Sequence, residues 1–265
     1  MAAQSRWAFS YGHLDVVVAV LSLPSAVVSA QLQPGVSLAA QTLTPPGTHP
    51  LLLMFGQHSH VRPFFLPKGL GGSYHEWIVA TPFVEWTDAA GQTTPWAAMS
   101  RLYLDSALFT VLGWLYAYPK VLARIAAPDH CYNVRTFMNS NPRVSMEWHS
   151  AGPVMPWSSF ADAPRVAPIF GQPFIERLSI FPWLGSRMWF ELDQATVEPV
   201  TLHATVEAGC APGLSALNIS MGRITDGVPG AFRLSLDWML SRPYLGGHLP
   251  AVLRAAMPPD CSQTL

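Results

Sequence analysis

The stretch Tyr103-Leu-Asp-Ser-Ala-Leu-Phe-Thr-Val-Leu-Gly-Trp-Leu-Tyr-Ala-Tyr-Pro-Lys120-Val-Leu122 decides how this chain is read. A short β-like run leads into a long, almost uncharged aromatic segment that ends on a lysine. Ser106 to Ala117 holds no internal breaker except Gly113, so the pattern predicts a helix there with Asp105 as its N-cap. Tyr118-Pro119 ends it, because the residue before a proline is pushed out of the α region. The segment is apolar on all sides, which predicts burial. Lys120 then emerges at the end of a buried helix, where an amine is either a snorkelling stem or a nucleophile, since apolar surroundings disfavour the ammonium form. The position is conspicuous because the chain has thirteen arginines and only two lysines. The other, Lys68 in Leu-Pro-Lys-Gly-Leu-Gly-Gly, reads as a loop residue, and its glycines lack phosphate-loop spacing.

Outward from this segment the pattern is mainly β with a few helices. Asp15 to Leu23, Leu51 to Phe55, Tyr74 to Phe83, Ala98 to Leu104, Val144 to Trp148, Arg187 to Phe190, Thr196 to Thr205, Leu217 to Met221 and Ala231 to Leu236 are short apolar, β-branched or aromatic runs separated by Pro and Gly. A second helix is expected near His248 to Ala256. The twenty-five prolines are spread over the whole length, with no repeat and no low-complexity linker. That argues for one continuous domain over 1–265, with its core in about 10–250, of barrel or sandwich type.

Half of the residues are hydrophobic and only 12% are Asp, Glu, Lys or Arg, about half the usual share. Such a surface suits a homo-oligomer. A net charge of -1 without runs of one sign gives no footprint for nucleic acid or an anionic membrane, and leaves a small molecule as the natural partner. Cys131, Cys210 and Cys261 are odd in number and in no metal-finger spacing, which suits free thiols in a reducing cytoplasm. Val16 to Ala30 has the look of a signal-peptide apolar region, but Asp15 and His13 stand where basic residues belong, so a strand followed by a short helix or loop is the preferred reading. No apolar stretch reaches the roughly 18 uninterrupted residues of a membrane span.

Tyr103-Leu-Asp105, the apolar helix and Ala117-Tyr-Pro-Lys-Val-Leu122 together resemble the acetoacetate decarboxylase family, whose signature runs from Tyr-Leu-Asp to Tyr/Phe-Pro-Lys-Lys-Leu over a similar interval. Tyr74-His-Glu-Trp-Ile-Val-Ala-Thr-Pro82 is similar to the family's strand bearing an active-site glutamate. Leu43-Thr-Pro-Pro with Pro50-Leu-Leu-Leu-Met-Phe, and Gly230-Ala-Phe-Arg-Leu-Ser-Leu with Pro243-Tyr-Leu, resemble its first long barrel strand and its closing strand. The resemblance implies a cone-shaped antiparallel or mixed β-barrel with a Schiff-base lysine acting on β-keto acids or related carbonyl compounds. Lys120 then takes the place of the nucleophile and Glu76 that of the acid/base residue. Tyr118 matches an aromatic lining position, with Trp114 beside it in the helix, and Gln57 or a near neighbour stands where the family has a second glutamate. Val121 replaces a second lysine, and Arg6 and Arg62 have the charge, though not the context, of the family's N-terminal substrate-binding arginine.

The chemistry follows from the residue types. An ordinary lysine is free amine to roughly one part in 2,500 at pH 7, so an imine-forming lysine needs apolar surroundings or a nearby cation; acetoacetate decarboxylase is itself the standard example. The protonated imine is an electron sink, needs no cofactor, and serves decarboxylation, retro-aldol cleavage, aldol condensation and dehydration alike. A glutamate that moves the protons is expected to be buried, with its pKa raised toward neutrality. Two other readings stand beside this lyase. One is a binding barrel that kept the fold without the chemistry. The other is a cupin-like metal site using His58 and His60, two apart and so on one face of a strand.

Overall fold

Five successive residues, Val16 to Val20, are all buried, so this strand is covered on both faces. That is why it reads as one continuous apolar run rather than an alternation. The computed structural model describes residues 8–87, 93–115, 118, 120–136, 143–176, 184–210, 213–222, 230–241 and 244–245. Among them, nine strands form a closed ring: β1 (Ala8–Pro24), β2 (Thr48–Pro63), β3 (Gly72–Thr87), β4 (Thr93–Leu104), β5 (Lys120–Ala126), β6 (Cys131–Thr136), β7 (Val144–Ser150), β8 (Thr196–Val206) and β9 (Ala231–Ser241). Each pairs with the next in sequence, and β9 returns to β1 to close the barrel. Closure removes the exposed edges of the wall.

Eight of the nine pairings are antiparallel; β4 and β5 alone run parallel. A parallel pair cannot be joined by a hairpin and needs a crossover. Helix α2 (Ala107–Leu115) lies in that crossover; helix α1 (Ser25–Ser29) follows β1, and α3 (Ala163–Phe170) lies between β7 and β8. Lys120 is the first residue of the strand that the crossover delivers.

The wall has two apolar faces. Val17, Phe55, Trp77, Tyr103, Ala123, Tyr132, Met146, Leu202 and Ala231, one from each strand, belong to a single core, which is the barrel's interior. The opposite face of β9, β1, β2, β3 and β4 carries Leu236, Val16, Met54, Ile78 and Leu102 into a second core, closed over by Trp157, Phe160 and the α3 residues Val166, Ile169 and Phe170. Short strands Met188–Phe190, on β9, and Leu217–Met221, on β8, add to the rim.

The expected strands are all present, most of them longer than expected. The structure adds β5, β6 and α3, which the sequence pattern did not show. The second helix expected near 248–256 lies outside the described residues. Helix α2 differs from expectation in two ways. Leu108 is 64% exposed and Val111, Leu112 and Trp114 are also exposed, so only the face carrying Phe109, Thr110 and Gly113 is covered. Asp105 does not cap it: its carboxylate accepts from the His75 backbone N–H at 2.9 Å and pairs with His75 Nδ1 at 2.7 Å. No helix among the described residues is long and apolar enough to cross a membrane.

Candidate active site

Strand register brings the two central residues together. Glu76 on β3 stands opposite Leu104 of β4, and Lys120 on β5 stands opposite Leu102 on the other side of the same strand. Leu102 and Leu104 are two apart and face the outer core. Glu76 and Lys120 therefore flank β4 on one face, and their side chains converge over it, with Nζ 4.0 Å from Oε1. Glu76 is closed off from water, its side chain being 5% exposed, and Lys120 nearly so at 11%.

The lysine reaches this place because of a glycine. Its stem lies across α2 at Gly113, where an added Cβ would fall 2.7 Å from Cε and nearer still to Cδ. Two other glycines make room in the same way: a Cβ at Gly72 would lie 2.8 Å from Phe109 Cζ, and one at Gly12 would lie 2.6 Å from Trp238 Cε2. Aromatic rings fill the spaces so left. Lys120 Nζ sits 5.4 Å from the centre of the Tyr74 ring and 5.5 Å from that of Tyr118, at cation–π distance. Tyr118 is buried and its hydroxyl is 2.7 Å from Ser186 Oγ. Tyr74 packs on Phe109 at 4.6 Å and stacks on His58 at 4.9 Å, and Trp238 meets His58 edge-on at 5.5 Å.

His58 completes the site. It stands opposite Tyr74 on the neighbouring strand, is 3% exposed, and brings Nε2 to 3.0 Å from Glu76 Oε2. The contact is within ion-pair range but out of line with the ring N–H, so neither ring nitrogen, nor Glu76 Oε1, has an aligned hydrogen-bond partner among the described residues. Burial opposes ionisation of Glu76, but Lys120 and His58 together outweigh it and hold the carboxyl below the usual carboxylate range. The expectation of a raised value is thus reversed: two neighbours outweigh desolvation. Burial also pushes the Tyr74 phenol well up, with Glu76 adding to the effect.

Lys120, Glu76 and Tyr118 of the expected site residues come together; Gln57 and Trp114 do not. Gln57 is exposed on the opposite side of β2, opposite His75, because one step along a strand reverses the face. Its neighbour His58 takes the other face, the one by which Met54 enters the outer core, beside Tyr74. Trp114 lies on the outer side of α2, where its indole N–H donates to the Lys120 carbonyl at 2.8 Å. His60, the second histidine of the metal reading, is exposed with φ at 54°, and a bulge between His58 and Val61 breaks the alternation that put both on one face. No group of three or more His, Cys, Asp or Glu able to hold a metal occurs among the described residues. Val121 packs toward the barrel interior, on the other face from Lys120. Arg62 lies over Tyr11 and donates to the His60 carbonyl, and Arg6 is outside the described residues.

Open hollows of about 550 Å³ beside Cys131, Glu147 and His203, and of about 460 Å³ beside Trp157 and Phe160, touch neither Lys120 nor Glu76. A buried amine and carboxylate in contact are the stronger indication of chemistry.

No protein-family model matches the sequence, and no curated protein does. Solved structures do match the fold. The enduracididine biosynthesis enzyme MppR with HEPES buffer bound aligns with a TM-score of 0.61 at 13% identity, over 89% of this chain and 87% of that one. MppR complexed with the condensation product of pyruvate and imidazole 4-carboxaldehyde gives 0.59 at 12% identity, over 89% and 88%. Acetoacetate decarboxylase from Legionella pneumophila gives 0.56 at 14% identity, over 91% and 87%. At such identities the likeness is one of architecture: the chain is a divergent example of the acetoacetate decarboxylase-like barrel fold.

Proposed function

We propose that this protein is a Schiff-base-forming enzyme of the lyase type, acting on a keto acid or a related carbonyl compound, with Lys120 as nucleophile and Glu76 as the group that moves protons. The observation that carries this reading is the 4.0 Å approach of Lys120 Nζ to a buried carboxylate that is held ionised. Glu76 takes a proton from the Lys120 ammonium, the freed lone pair adds to the substrate carbonyl, and the carbonyl oxygen leaves as water with that proton and one from nitrogen, giving a protonated imine. The positive charge begins and ends on the same nitrogen, so Glu76, its carboxylate restored, is the counter-charge before and after the step. Electrons released at the neighbouring carbon, by loss of carbon dioxide, of a proton or of an aldehyde fragment, flow into the imine. Tyr74, Tyr118 and Phe109 exclude water from the imine and offer flat apolar surfaces to the rest of the substrate.

The fold supports the reading by analogy, since an acetoacetate decarboxylase and MppR share it, and MppR has been seen with pyruvate. The exposed apolar face of α2, with Leu108, Val111, Leu112 and Trp114, fits a second copy of this chain, which a surface poor in charge also favours. Cys131 and Cys210 are free, as in a reducing cytoplasm. Trapping of carbonyl compounds with borohydride, with Lys120→Ala as control, tests the assignment.

A further inference from the structure

Toward one end of the barrel the inner face of the wall turns polar. On β1 the buried Val17 is preceded by Asp15 and His13, and on β9 the buried Ala231 is followed by Arg233, Ser235 and Asp237, each two residues apart. Leu14, Val16, Leu234 and Leu236, between them, enter the outer core. Register sets Asp15 directly across from Ser235 and His13 directly across from Asp237. Asp15 accepts two hydrogen bonds from Arg233, from Nε at 2.8 Å and from one Nη at 2.6 Å. His13 bridges the remaining two, with Nδ1 2.8 Å from Asp237 Oδ1 and Nε2 3.1 Å from Ser235 Oγ. A carboxylate only accepts, so Nδ1 carries the hydrogen, and in the neutral ring Nε2 is left to accept from the hydroxyl. His75 and His149 also meet carboxylates, but no hydroxyl lies on the other ring nitrogen of either among the described residues.

We propose that Ser235, His13 and Asp237 form a second catalytic site, on the opposite face of the wall from Lys120, that hydrolyses uncharged esters of short acyl chains. The order serine, imidazole, carboxylate is the one that makes a hydroxyl nucleophilic, and it is recognised by geometry whatever the fold. Ser235 is half-buried and can be reached by a substrate. Its Oγ adds to the ester carbon while its proton passes to His13 Nε2. The tetrahedral intermediate expels the alcohol, which takes that proton, and an acyl-serine remains. Water then adds to the acyl carbon, giving a proton to His13 that returns to Ser235 as the acid leaves. Ester and water have become acid and alcohol. Thr196, directly across from Ser235 on β8, and the second Nη of Arg233, not bound by Asp15, are placed to donate to the oxyanion. Asp237 touches no reacting atom; it is a positioning residue that holds the His13 tautomer. The substrate class follows from the surroundings. Asp15, Glu198 and Asp237 outnumber Arg233 and disfavour an anion, Trp148 lies flat over Arg233 at 5.4 Å, and the packed interior beneath leaves no depth for a long chain.

The test uses the whole protein, p-nitrophenyl acetate as substrate and phenylmethylsulfonyl fluoride as label. The wild type is expected to release p-nitrophenolate over many turnovers and to take one sulfonyl group per chain, mapped by mass spectrometry to Ser235. Ser235→Ala and His13→Gln are each expected to lower turnover at least about 100-fold. Asp237→Asn, whose amide can donate to Nδ1 and turn the ring to the wrong tautomer, is expected to lower kcat about 100-fold with KM changed less than about threefold, a split that a mere tether between strands would not produce. Labelling of the wild type needs no variant to fold. Turnover in Ser235→Ala near that of the wild type, full kcat in Asp237→Asn, a label on Lys120 or any residue other than Ser235, or a wild type that neither turns over nor takes the label overturns the site.

Discussion

Lys120 crosses helix α2 at Gly113, and the absence of a side chain there is what lets the amine reach Glu76. Alanine at an ordinary helix position stabilises by about 1 kcal/mol relative to glycine. Here the added methyl collides with the lysine stem, and overpacking of this kind costs about 2 kcal/mol or a displaced side chain. Gly113→Ala is expected to lower the rate of imine trapping at least about tenfold, with a melting temperature no higher than wild type. A variant that is both more stable and fully reactive would show that the stem does not need this passage.

Glu76 makes a pH-dependent contribution to stability. Its folded carboxyl is held below the usual range, whereas an unfolded glutamate titrates near about 4.3. The contribution is therefore complete above the unfolded value and is lost as pH falls through the lower folded value. Glu76→Gln leaves the buried amine without its counter-charge and is expected to cost about 3 kcal/mol at pH 7. Urea titrations of both proteins should show a constant gap above about pH 5 that narrows below about pH 4. A gap that widens in acid contradicts the sign of the argument.

The outer face of α2 gives a prediction about assembly. Leu108 is 64% exposed, so Leu108→Glu is expected to change the stability of the isolated fold by less than about 0.5 kcal/mol. Light scattering should show the wild type as an oligomer and the variant at a lower mass. Equal masses for the two place the interface elsewhere.

The register of β3, β4 and β5 also shows what the sequence could and could not reveal. Long strands such as β3 and β8 were legible because β-branched and aromatic runs are bounded by Pro and Gly. Strand β5, Lys-Val-Leu-Ala-Arg-Ile-Ala, was not, since its alternation is broken by alanines and its pairing partner is set by a distant crossover. Helix α3 was hidden by Pro164 and Pro168, which read as punctuation although the first stands in the initial turn, where a missing N–H does no harm. Lys120 and Glu76 were visible as residue types in a family-like spacing. His58 was missed as their partner by one residue, because Gln57 and His58 differ only in which face of β2 they take. Tyr74 was within reach of the argument: two residues before Glu76, it shares that residue's face. Trp114 was misplaced because an all-apolar helix does not declare its inner side, whereas Gly113 now marks it.

Trapping at Lys120 tests the central claim most directly. The protein is incubated with small ketones, aldehydes and keto acids, reduced with borohydride, and analysed by intact mass and peptide mapping. The account predicts a single adduct per chain, on Lys120 and not on Lys68, absent from Lys120→Ala and retained in Trp114→Phe. Failure of every carbonyl compound to add to Lys120, or equal labelling of Lys68 and Lys120, contradicts it; tight reversible binding without any adduct identifies the barrel as a binding protein instead.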